Sequence, residues 1–181
     1  MRRIRRAVPA RICPPLWTVT AEKRSRLLLP FLLLFPVSCS RLESLTPERL
    51  QSAEQQWSAS RPGLYRLVVE MKGDRVEASR LEVTVHGEEV VSIRRNGQVI
   101  LPGRGQDYSM EGLFRMLHQE LDLAANPSLL GAPPGYSSYP LVRFDRDTGR
   151  LVKFQRTIGG AQNSIEIDVL DFQALGQDLK P

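Results

Sequence analysis

Few residues in this 181-residue chain could do chemistry, and their spacing limits what that chemistry could be. Glu166 and Asp168 stand two apart in an alternating run, which places both carboxylates on one strand face ~7 Å apart. Paired carboxylates serve as acid and base only where a cleft raises a pKa. A face that also carries Arg66, Lys72, Arg80, Arg143 and Lys153 predicts a solvated surface of mixed charge instead. A small hydrolase using Glu166 and Asp168 is the alternative reading. The two histidines, His86 and His118, belong to no His-Glu-x-x-His pattern, so no metal and no cofactor are expected. Asp145-Arg146-Asp147-Thr148-Gly149 starts like a calcium loop but lacks the third acidic ligand and the late bidentate Glu, which leaves a hairpin turn. Gly103-Arg104-Gly105 is too short to cradle a phosphate, and no Gly-x-Ser-x-Gly occurs. No catalytic residue is assigned.

The cysteines are Cys13 and Cys39, too few for a disulfide scaffold. Their surroundings are basic: residues 1–40 carry eight Lys/Arg and one acid, a net +7, which leaves a net −2 for the rest of a +5 chain. The body therefore lacks the basic stripe that phosphate backbones require, and no nucleic acid is expected as a partner. Leu27 to Val37 is an uncharged run of eleven residues, too short to span a bilayer and interrupted by Pro30 and Pro36. Lys23, Arg24 and Arg26 precede it and Ser38-Cys39-Ser40 follow, the layout of a secretory signal peptide over residues 1–38. Val37-Ser38-Cys39 resembles the end of a bacterial lipoprotein signal, although Pro36 stands where Leu, Val or Ile is usual. The resemblance implies diacylglycerol on Cys39, which would tie the mature chain to the membrane. Ordinary cleavage after Ser40 is the alternative. Some 26 residues before the apolar run make a long leader, and a start near Val19 would shorten it, with residues 1–18 a mis-assigned beginning. Either way Cys13 is removed and no internal disulfide is expected.

The elements that must position these residues follow from periodicity. After a tether over residues 39–45, Thr46-Pro47-Glu48 reads as N-cap, first-turn proline and first-turn acid of a helix reaching Ser60, with Leu50, Ala53 and Trp57 on one side. Tyr65, Leu67, Val69 and Met71 alternate with Arg66, Val68, Glu70 and Lys72, and Leu81, Val83 and Val85 alternate with Arg80, Glu82, Thr84 and His86. Val91 and Ile93 continue inward, and Asn96-Gly97 signals a type I′ hairpin before Val99–Leu101. Ser109 caps a second helix whose stripe is Met110, Leu113, Phe114, Leu117 and Leu121. A long connection from Ala124 to Pro140 then leads to strands around Val142–Phe144, Val152–Phe154 and Ile165–Val169. The order predicts one α+β domain over residues 46–175, with a tail at 176–181. Its antiparallel sheet, a meander plus a second set of strands, carries two helices on one face.

Four landmarks in this order, Trp57, Tyr65-Arg66, Tyr108-Ser109-Met110-Glu111-Gly112-Leu113-Phe114, and Phe144-Asp145 with Gly149, resemble a domain-of-unknown-function family of small exported bacterial proteins, many of them lipoproteins. The likeness spans roughly residues 50–170. Members often carry Cys-x-Cys where this chain has Met71-Lys72-Gly73, and Gly-Tyr-Pro where it has Gly149-Arg150-Leu151. The resemblance implies an envelope location and this fold, and no activity. The expectation is an exported, lipid-anchored envelope protein, on the periplasmic face of an outer membrane where there is one, acting as a non-catalytic binding or structural module. A soluble secreted form is the alternative. Exposed aromatics on connections make protein contacts, so Leu129, Leu130, Tyr136 and Tyr139 are the candidate surface for an envelope partner, unless Leu129 and Leu130 fold back on the core.

Overall fold

The computed structural model describes residues 41–101 and 107–176. The leader, Cys39, Gly103-Arg104-Gly105 and the tail beyond Gly176 lie outside the described residues. Thr46 opens α1 (Pro47–Ser60) as the sequence predicts, its side chain accepting from the Arg49 amide. Four antiparallel strands follow: β2 (Leu64–Gly73), β3 (Val76–His86), β4 (Glu89–Arg95) and β5 (Gln98–Ile100). Asn96 and Gly97, at φ of 51° and 83°, form the expected hairpin turn. Ser109 caps α2 (Met110–Ala125) by accepting from the Gly112 amide. Gly112 fits because a Cβ there would run into the Asp107 backbone. The chain returns through β6 (Ser138–Phe144), β7 (Leu151–Ile158) and β8 (Ile165–Ala174).

All eight strands join one antiparallel sheet in the order β1-β6-β7-β8-β2-β3-β4-β5, where β1 is Glu43–Ser44. The centre is the β8–β2 pairing, which brings the last strand beside the first long one. Core-facing residues of both halves (Tyr65, Leu67, Val69, Leu81, Val83, Phe154, Ile167) meet Leu50 and Trp57 of α1 and Leu113, Phe114 and Leu117 of α2 in a single cluster. Both helices therefore cover one sheet face, as expected. Among the described residues, the buried side chains of that cluster run from Leu45 to Val169, with Phe172 packed against them.

Three details differ from the sequence reading. The tether is partly structure: Glu43 and Ser44 pair with Val142 and Leu141, and Leu45 is buried. A register shift at Thr84/Val85 sets Val90 opposite Val85, so Val90 packs on the core while Val91 is 56% exposed. The Ala124–Pro140 connection is not structureless, since α2 reaches Ala125, a 3₁₀ turn covers Pro127–Leu130, and β6 already includes Pro140. The Pro140 carbonyl accepts from the Leu45 amide, so its nitrogen also points toward the sheet edge, where no N–H is needed.

Candidate functional site

The landmark residues converge. The Glu111 carboxylate, in the first turn of α2, accepts from Trp57 Nε1 at 3.0 Å, Tyr65 Oη at 2.7 Å and the Arg61 guanidinium at 3.2 Å. Tyr65 Oη in turn accepts from the Met110 amide at 3.2 Å. One side chain thus ties the end of α1, the start of β2 and the start of α2 together. Trp57, Tyr65 and Phe172 pack edge-on and tilted with centroids 5.5–5.7 Å apart. Burial pushes the Glu111 carboxyl up, but the hydrogen bonds from Trp57, Tyr65, its own amide and Arg61 outweigh this and hold it below the ordinary glutamate value. Burial, and then the carboxylate beside it, push the Tyr65 hydroxyl far up, so it remains a donor. The phenol is fully buried, and the carboxylate accepts from three side-chain donors, two on Oε1 and one on Oε2.

The last landmark has the same use. Asp145 Oδ1 accepts from the Asp147 and Thr148 amides and the Thr148 hydroxyl, building the β6–β7 turn. Gly149, at φ 72°, lets that turn press against α1: a Cβ would meet the Ala53 carbonyl oxygen and lie 2.8 Å from the Trp57 nitrogen. Gln56 and Ser60 of α1 donate to the Arg146 and Thr148 carbonyls.

Glu166 and Asp168 do share the sheet face away from the helices. Lys153 sits between them, bonded to Glu166 and 3.0 Å from Asp168, and Lys72 lies 3.5 Å from Glu166. Lys153 holds the Glu166 carboxyl below its ordinary value, the opposite of what a general acid needs at neutral pH. The Lys153 ammonium, which burial would push down, is raised by the two carboxylates. Arg66 and Asp171 pair at 3.1 Å on the same face. Opposite charges pair with one another on this face, where the Lys153, Glu166 and Asp168 side chains are half-buried. His118 meets Glu54 at 2.8 Å between the two helices, and His86 is exposed at a strand end. Among the described residues no group of three or more His, Cys, Asp or Glu is placed to hold a metal, and no helix is long and apolar enough to cross a membrane.

The four contact candidates separate. Leu130 folds inward at 6% exposure, whereas Leu129 is 73%, Tyr136 53% and Tyr139 57% exposed. The Tyr136 ring lies against Gly159 and Gly160. What holds this region is a pair that sequence reasoning missed. In a buried ion pair Arg156 Nη1 donates to both Glu120 carboxylate oxygens at 2.7 Å, and Arg156 Nη2 donates to Asn163, whose amide donates to the Leu130 carbonyl at 3.0 Å. A signal existed. Phe154, Arg156 and Ile158 alternate on the core face, and Glu120 continues the Leu113–Leu117 stripe at i+3. The chain matches no known family model and no curated protein.

Proposed function

We propose that this is an exported, lipid-anchored envelope protein of the family it resembles in sequence, and that its domain is a non-catalytic binding or structural module. The observation that carries the second part is where the fold spends its polar chemistry. Glu111, Tyr65, Asp145 and the Arg156–Glu120 pair hold elements to one another, and Glu166 and Asp168 are matched by lysines. The exposed apolar groups Leu129, Tyr136 and Tyr139 lie on the connection into β6 and on β6 itself, a placement that suits contact with a protein partner. The export part rests on the basic and apolar leader ending in Val37-Ser38-Cys39. Mass spectrometry of the protein from the membrane fraction tests it. An amino-terminal Cys39 carrying diacylglycerol is expected, and an unmodified amino terminus at Arg41 would overturn the anchor.

A further inference from the structure

Between the first turns of α1 and the β1–β6 edge lies a cleft of about 960 Å³, floored by Val142, Phe144 and Val152. Its walls carry five arginines, at 41, 49, 143, 146 and 150, against three acids, Glu43, Glu48 and Asp145. Arg49 is paired with Glu43 at 2.7 Å and Arg150 with Asp145 at 3.3 Å. Arg41 and Arg146 are exposed and have no carboxylate partner among the described residues. The cleft is thus locally cationic on a body whose net charge from residue 41 onward is −2. Arg41 also lies two residues from Cys39, so a taut chain places it within about 7 Å of the acylated residue.

We infer that this cleft is a membrane-docking surface that takes the phosphate of an anionic phospholipid headgroup in the bilayer holding the anchor. The inference rests on the acylation of Cys39 proposed above. A guanidinium presents two parallel donors to a phosphate, and an apolar floor accommodates the glycerol beneath it. The diacylglycerol supplies attachment, and the cleft supplies orientation. With the Phe144 end of β6 at the bilayer, Tyr139 stands five residues, about 17 Å, farther along the strand. Docking would thus carry the exposed tyrosine away from the lipid.

The test uses residues 40–181, which retain every described residue and lack Cys39, so its outcome is independent of acylation. After circular dichroism confirms the fold, the protein is sedimented with vesicles of phosphatidylcholine alone or mixed with phosphatidylglycerol. Binding to the mixed vesicles and not to phosphatidylcholine is expected. Arg41→Gln with Arg146→Gln should lower the partition roughly 25-fold, at about fivefold per basic residue. Arg75→Gln with Arg94→Gln, the same charge change away from the cleft, should lower it less than about twofold, because these side chains do not face the bilayer in the docked orientation. Replacing chloride by inorganic phosphate at equal ionic strength should leave binding unchanged. Equal loss in both double variants, equal binding to phosphatidylcholine, or displacement by free phosphate would each overturn the inference.

Discussion

Replacing Glu111 by Ala should cost the domain about 3–5 kcal/mol, because two buried donors lose their acceptor together. Trp57 is 3% exposed and Tyr65 fully buried, and each donates to this carboxylate at hydrogen-bond distance. A buried donor left unsatisfied costs about 1–3 kcal/mol. Loss of the first-turn acid adds about 0.3–1 kcal/mol, and the partly exposed Arg61 bond adds less than about 1 kcal/mol. Urea denaturation of residues 40–181 reads this directly, since Trp57 is then the sole tryptophan and reports on the site itself. Tyr65→Phe supplies the second arm of a double-mutant cycle, with an expected coupling to Glu111 of about 1–2 kcal/mol. The pH dependence follows from the same geometry. A carboxyl held low in the folded state stabilises above its unfolded pKa of about 4.3, and that contribution is lost as pH falls through the lower folded value. Glu111→Gln should therefore show a shallower acid limb than the parent below about pH 4.5. A Glu111→Ala cost under about 1 kcal/mol, with no coupling to Tyr65, would refute the claim that this carboxylate ties the two helices to β2.

Three further outcomes follow from the packing. Gly149→Ala should destabilise by about 2–4 kcal/mol, since it combines a positive φ with a collision against the α1 backbone, and thermal unfolding measures it. Glu120→Ala should cost about 3–5 kcal/mol by stranding buried Arg156, while Glu120→Leu with Arg156→Met should cost only about 1–2 kcal/mol in the same urea titration. Leu129→Ser with Tyr139→Ser should change stability by less than about 1 kcal/mol, because both side chains are largely exposed; a larger loss would mean that they belong to the core.

Local signals carried most of the fold. Thr46-Pro47, Ser109 and Asn96-Gly97 fix element ends through their own backbone chemistry, and alternation in β2 and β3 assigns the core face, although Val68 is buried on the opposite face as well. What periodicity missed depends on pairing. Glu43 and Ser44 are a strand only because β6 offers them an edge, and Val91 turns outward because of a bulge that two separate strands define. The site was legible unevenly. Alternation alone puts Glu166 and Asp168 on the face away from the helices, but Lys153 between them comes from a neighbouring strand, and only the sheet register makes that contact. Trp57, Tyr65 and Glu111 stand out in sequence as landmarks, and the structure shows a mechanical reason for their types. Arg156 and Glu120 occupy core positions in the pattern, where charge marks a pair that sequence cannot match without the fold.

The contact role proposed for the domain is tested most directly by photo-cross-linking in intact cells, with a benzophenone amino acid placed singly at Leu129, Tyr139, Arg80 or Arg94. The account predicts a discrete protein adduct from positions 129 and 139 and none from the charged sheet face at 80 and 94. Adducts from the sheet face alone, or none at any position, would contradict it.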